Sequence, residues 1–234
     1  MHKPLVGLDI ETLSRPKDAS LAGKVPVMTT WAFAAMMPDS LHPIILAGVM
    51  PVRELIDKGF HINADTLTWW MTSPDNEQAR KAQVKHLNRQ KHGAYLMKYD
   101  AVIDEYVVVD HAVTRGGVFD LMVQFRHMVG KGAHFVGNGC EFDMSIFDQH
   151  FDHPVYKFTE VGSARSFKWI ARQTMPEFMP EIERIAEDYA VRVTNKLPDV
   201  FKADFLFVQD WHDALFDVIN EVRLCKEIFD RVSA

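Results

Sequence analysis

Cysteine is scarce in this chain: Cys140 and Cys225 are the only two in 234 residues, and they have no metal-ligand spacing. That excludes a disulfide framework and fits a reducing cytoplasm. No stretch approaches 18 consecutive apolar residues, which excludes a membrane-spanning helix. The opening Met1-His2-Lys3-Pro4 runs straight into an apolar segment, leaving no room for a secretory leader. Net positive charge is also missing. At −6 the chain lacks broad electrostatic affinity for nucleic acid, although a local basic groove stays compatible with that total. Internal repeats and low-complexity tracts are absent. The length suits one large domain, residues 1–234, with an insertion.

What is present centres on two short acidic stretches almost two hundred residues apart. The first is Leu5-Val6-Gly7-Leu8-Asp9-Ile10-Glu11-Thr12. An apolar run of this kind reads as a buried strand, and residues two apart on a strand share a face. Asp9 and Glu11 therefore point one way, while Val6, Leu8 and Ile10 point the other. Two carboxylates on one side of a central strand repel each other and lose hydration, and a hard divalent cation relieves both costs. No glycine-rich loop follows Glu11, where Thr12, Leu13 and Ser14 stand instead, so a phosphate-cradling nucleotide site is excluded there.

The second stretch is Trp211-His212-Asp213-Ala214-Leu215-Phe216-Asp217. It opens the clearest helical pattern in the chain, with Trp211, Ala214, Leu215, Val218, Val222, Cys225 and Phe229 at spacings of three and four. Five residues of helix turn roughly 500°, so His212 and Asp217 address one site only if His212 precedes the helix or sits in its first turn. Asp213 reads as a residue that favours the helix N-terminus rather than as a ligand.

Between these ends, Ser14 to Lys24 reads as a loop, and Val25 to Met37 and Leu41 to Val49 read as strands joined by Pro38-Asp39-Ser40. With the first strand they form an antiparallel meander. Residues 65–98 read as a helical insertion. Within it, Arg80 to Lys98 carries six cations and no acid, either a solvated face or a phosphate contact. Adjacent Trp69 and Trp70 point about 100° apart on a helix, so one at most is a base-stacking platform and the other packs in the core. Val118 to Val129 has a helical period, and His134 to Gly139 reads as a strand leading into Cys140-Glu141-Phe142-Asp143 and a further helix. Gly162 to Ala171 and Pro180 to Ala190 read as helices, with loops at Met175 to Pro180 and Thr194 to Asp199. The predicted architecture is α/β, a mixed sheet of about five strands, the first three antiparallel, flanked by helices.

Each acidic motif is weak alone, but their order and their places at element boundaries are specific. Asp9-x-Glu11, Asn138-x3-Phe142-Asp143 and His212-x4-Asp217 together resemble the DEDDh 3′–5′ exonucleases of the ribonuclease H-like superfamily. Thr66-Leu67-Thr68-Trp69-Trp70 and the polar Asp75 to Arg80 resemble an insertion of the subgroup that holds T-even phage exodeoxyribonuclease A and a mycobacterial exoribonuclease. The resemblance runs from about Leu5 to Lys226, loosely over 89–116 and 154–210.

The resemblance implies that Asp9, Glu11 and Asp217 hold one Mg²⁺ or Mn²⁺, that Asp9 bridges to a second ion, and that Asp143 binds this second ion through water. Two ions about 3.5–4 Å apart suit in-line displacement at a phosphodiester. His212 would take the proton of the attacking water, since imidazole titrates near neutrality. Thr12 and Leu13 would meet the terminal nucleotide, Leu13 as a wedge against its base. Asn138 either caps the turn after its strand or contacts substrate. The implied partner is the 3′ end of single-stranded DNA or RNA, or a 3′ overhang, with DNA favoured. RNA trimming, or a catalytically idle nucleic-acid-binding module, are the alternatives. A homodimer is the assembly such relatives often form.

Overall fold

The computed structural model describes residues 3–72, 77–130, 132–137, 140–151, 160–205 and 213–233. Seven strands form one mixed sheet: β1 (Leu5–Thr12), β2 (Met28–Met36), β3 (Ile44–Val49), β4 (Gly93–Asp100), β5 (Glu105–Ala112), β6 (His134–Gly137) and β7 (Glu160–Ser163). Their spatial order is β5-β4-β3-β2-β1-β6-β7. Strands β1 to β5 run antiparallel to their neighbours, and β6 and β7 continue the sheet parallel to β1.

Ten helices lie around the sheet among the described residues: α1 (Pro16–Leu21), α2 (Val52–Asp57), α3 (Ala64–Thr72), α4 (Glu77–His86), α5 (Arg115–Val129), α6 (Cys140–Phe151), α7 (Ala164–Thr174), α8 (Met179–Asn195), α9 (Asp199–Phe205) and α10 (Ala214–Val232). None of them is long and apolar enough to cross a membrane.

Strand β2 shows why the sheet is sandwiched. All nine of its residues, Met-Thr-Thr-Trp-Ala-Phe-Ala-Ala-Met, are buried, as expected where helices cover both faces. Its odd and even positions differ in size. Trp31 and Phe33 project into one layer, where they meet Phe147 edge-on at 5.3 and 5.1 Å between ring centres. That layer holds Val6, Leu8 and Ile10 of β1 and the apolar sides of α5 and α6. Ala32 and Ala34 project into the opposite layer with Leu5, Ala47 and the buried side of α10. Small residues here let α10 lie close against β1 and β2. The closest approach is at Gly7, where a Cβ would stand 2.5 Å from Val222 Cγ2 and 2.7 Å from Val218 Cγ2.

The antiparallel first three strands, the α5 helix and the long final helix all match the sequence pattern. The sheet is larger than expected. Residues 93–98, read as part of a helical insertion, belong to β4, so the helical part of that insertion ends at His86. Charges at Lys91, Lys98, Asp100, Glu105 and Asp110 hid a β4–β5 hairpin at the outer edge of the sheet, where such residues face solvent and blunt an exposed edge. The start of the expected 162–171 helix is the end of β7, which at four residues is too short to show a period. Three expected loops also contain helix: α1 lies inside 14–24, α8 starts at Met179, and Asn195 and Asp199 close α8 and open α9.

Candidate metal centre

The alternation of β1 puts Asp9 and Glu11 on the face covered by α10. That helix crosses the strand and carries Asp217 on its first turn. One carboxylate oxygen from each of Asp9, Glu11 and Asp217 lies within 4.8 Å of the others. Three carboxylate oxygens converging this closely from two elements are a ligand set that would suit one hard divalent cation. Asp143, on α6 beyond the end of β6, stands outside the trio but within reach of its charges. It is buried, at 7% exposure.

Burial pushes the Asp9 carboxyl well above the ordinary carboxylate range, and the charges of Glu11, Asp217, Asp143 and Glu221 push it further. Burial does the same to Glu11, helped by Asp217, Asp213 and Asp143. Asp143 rises from 3.8 to about 7, again mainly by burial and then by Glu221, with the Arg165 guanidinium pulling the other way. Hard oxygen donors crowded in a low-dielectric place fit Mg²⁺ or Mn²⁺ by their chemistry.

This arrangement fixes a sign for pH dependence. Asp143 binds a proton in the native state up to about pH 7 but releases it near 3.8 when unfolded. Between those values the native protein binds more protons, so stability falls as pH rises. His86 and His150, both held down to about 4 by burial, act oppositely between 4 and 6.5. Comparing EDTA with Mn²⁺ at each pH cancels the histidines. The rise in melting temperature given by Mn²⁺ is expected to be small at pH 5 and to grow with pH as the carboxyls ionise. A Mn²⁺ effect that is flat or shrinking over pH 5–8 would count against the carboxylates as ligands.

Asp213 has a different task. Its side chain accepts hydrogen bonds from the backbone N–H groups of Leu215 at 3.0 Å and Phe216 at 3.1 Å, capping α10. Such a cap contributes about 1 kcal/mol. It also fixes where the first turn begins, and so where Asp217 projects. His212 and Asn138, expected as base and substrate contact, lie outside the described residues, as does Trp211.

Thr12 is half-buried, and its hydroxyl donates to the Ser14 carbonyl at 2.9 Å. Leu13 departs from the expected wedge. It is 1% exposed and packs in the core, with its backbone tied to Val27 and Asn63. An apolar residue after an acidic pair serves either purpose, and here the core takes it. Of the two tryptophans, Trp70 is the buried one, and its Nε1 donates to the Thr12 carbonyl at 3.1 Å. Helix α3 thus braces the end of the acidic strand.

Two residues near the acids were not anticipated. Asn220 and Glu221 follow Asp217 by three and four positions, on the same side of α10. Both are buried, and Asn220 Oδ1 has no hydrogen-bond partner among the described residues. The available signal was polar side chains at positions 0, +3 and +4 of the otherwise apolar first half of the helix, residues 214–222. Together with Asp9, Glu11 and Asp217 they line a cleft of about 570 Å³, which Lys168 and Arg172 of α7 and Glu183 and Glu187 of α8 also line. The basic 80–98 segment is divided: Lys81 pairs with Glu77, and Arg89 with Asp204 at 3.0 Å.

No protein-family model matches this chain, and no curated protein matches it in sequence.

Proposed function

We propose that this chain is a metal-dependent 3′–5′ exonuclease of the ribonuclease H-like, DEDDh type. It shortens single-stranded nucleic acid or 3′ overhangs, DNA favoured, and releases nucleoside 5′-monophosphates. The observation that carries the reading is the convergence of Asp9 and Glu11 from β1 with Asp217 from α10, residues over two hundred positions apart, into one oxygen cluster. The sheet supports it. Its first three strands are antiparallel, in keeping with the expected architecture, although the sheet has seven strands where about five were expected.

In this reading Asp9, Glu11 and Asp217 hold one ion, and Asp9 with Asp143 serves the second. When bound, the ions neutralise developing charge on the phosphodiester and lower the pKa of the attacking water. The chain's own residues do the rest. The buried carboxylates hold the cleft in a geometry that needs little reorganisation. His212, directly before the Asp213 cap, accepts the water's proton. Thr12, held by its bond to Ser14, faces the terminal nucleotide.

The test is digestion of 5′-labelled DNA and RNA single strands of one sequence, with Mg²⁺, Mn²⁺ or EDTA, beside His212→Ala. The expected result is a ladder shortening from the 3′ end only with metal, faster on DNA, and at least 100-fold slower in the variant, as for loss of a general base. Absence of cleavage, internal cutting, or cleavage that persists in EDTA would reject the proposal.

A further inference from the structure

Helix α7, Ala-Arg-Ser-Phe-Lys-Trp-Ile-Ala-Arg-Gln-Thr, has three cations and no acid, in a chain of net charge −6. At 100° per residue, Arg165, Lys168, Trp169 and Arg172 fall within about 100° of arc. The opposite side is anchored, with Ala164 and Ala171 buried and Phe167 packed on Phe229. The cationic face is therefore held outward by the core.

That face borders the acidic cleft. Lys168 and Arg172 form part of the cleft wall. Lys168 Nζ stands 3.9 Å from Glu221, and Arg172 pairs with Glu183 at 2.8 Å. Both links are weak anchors. The first is long, and the second joins side chains that are 58% and 41% exposed, a pair that water and salt largely screen. Trp169 shares this face of the helix, with 65% of its surface exposed, the most exposed tryptophan among the described residues. A large flat ring on the same helix face as three cations, two of which line the cleft, matches the needs of single-stranded nucleic acid, which offers a phosphate and a π-face at every nucleotide.

We infer that α7 is the track for the single strand upstream of its 3′ end, with Arg165, Lys168 and Arg172 on successive phosphates and Trp169 stacked on a base. The inference rests on the nuclease reading for its direction along the strand. It goes beyond that reading by naming a sequence-tolerant binding surface outside the acidic cluster.

The test measures binding in EDTA, where the acidic end of the cleft adds no attraction and the strand stays intact under the proposed chemistry. A 5′-fluorescent 12-nucleotide oligothymidylate and a dinucleotide are titrated by anisotropy with the parent, Trp169→Ala, Trp169→Phe and the double variant Lys168→Ala/Arg172→Ala. Trp169→Ala is expected to weaken the 12-mer roughly 5- to 150-fold, the effect of losing one stacked base, while Trp169→Phe keeps most of the affinity. The double variant is expected to lower the slope of log affinity against log salt by about 1.4, two contacts at about 0.7 each. Dinucleotide binding is expected to be equally weak for all four proteins. Melting curves confirm that the variants fold. Parent-like affinity and salt slope in the variants overturns the inference, as does a parent that fails to bind the 12-mer. Digestion with Mg²⁺ or Mn²⁺ is scored separately. Binding through α7 without 3′ shortening rejects the nuclease reading and leaves α7 as a strand-binding face, whereas 3′ shortening with unaltered variant binding does the reverse.

Discussion

Asp9→Asn is expected to abolish 3′-end shortening and, at the same time, to make the metal-free protein harder to melt. The two effects share one cause. Asp9 is the residue whose carboxyl feels the charges of Glu11, Asp217, Asp143 and Glu221 together, on top of desolvation in its half-buried position. Asparagine keeps the shape and removes the charge. Activity is expected to fall well beyond the roughly 10–100-fold typical of residues one step removed from a metal, because a shared ligand is lost. Relief of buried like-charge repulsion is expected to stabilise the apo form by about 1–3 kcal/mol. For a chain of this size, each kcal/mol raises the melting temperature by roughly 2–4 °C. Differential scanning calorimetry with and without Mn²⁺ at pH 8 reads both halves. The parent gains stability from Mn²⁺ and the variant gains little. A variant that melts below the parent in EDTA would mean that the Asp9 carboxylate is held by favourable partners, which contradicts a metal site waiting for charge.

The parts of this molecule that were legible in sequence are those where period and burial coincide. Val6, Leu8 and Ile10 alternate with Asp9 and Glu11, so the strand announced both its core face and its acidic face. Asp213 was legible as a residue favouring the helix N-terminus, and its bonds to Leu215 and Phe216 make it the cap there. The β4–β5 hairpin was hidden for the converse reason. Five apolar or small residues, Gly93 to Met97, sit between basic residues that resemble the preceding helix, and only pairing with β3 turns them into a strand. Leu13 shows another limit. Its burial depends on α2, α3 and the 60–63 segment folding over the end of β1, a long-range packing event that no local pattern encodes. The α7 stripe was readable in principle, since cations at spacings of three and four with an interleaved tryptophan are a helical-face signal. The basic run at 80–98 is longer and more conspicuous in sequence, yet part of it is neutralised by Glu77 and Asp204.

Gly7→Ala is expected to cost more stability than its single methyl suggests and to damage the site with it. The added Cβ would stand 2.5 Å from Val222 Cγ2 and 2.7 Å from Val218 Cγ2, and both valines are fully buried. Neither branched side chain has an alternative rotamer open to it in a packed helix, so α10 as a whole has to yield. Overpacking of this kind costs about 1–3 kcal/mol, and the depth of these contacts argues for the upper end, a fall of roughly 6–12 °C in melting temperature. The helix that must shift is the one carrying Asp217, one position before Val218. Displacement of Asp217 from Asp9 and Glu11 is expected to raise the Mn²⁺ concentration needed for half-maximal stabilisation by about tenfold or more, a 1.4 kcal/mol effect. Gly116→Ala supplies the contrast. Gly116 lies in the first turn of α5 with nothing within 4 Å of its Cβ position, so alanine there is expected to be neutral or to add up to about 1 kcal/mol. If Gly7→Ala melts with the parent and binds Mn²⁺ as tightly, then α10 is not seated on β1 as closely as this geometry requires. The acidic trio would then depend on some other contact for its convergence.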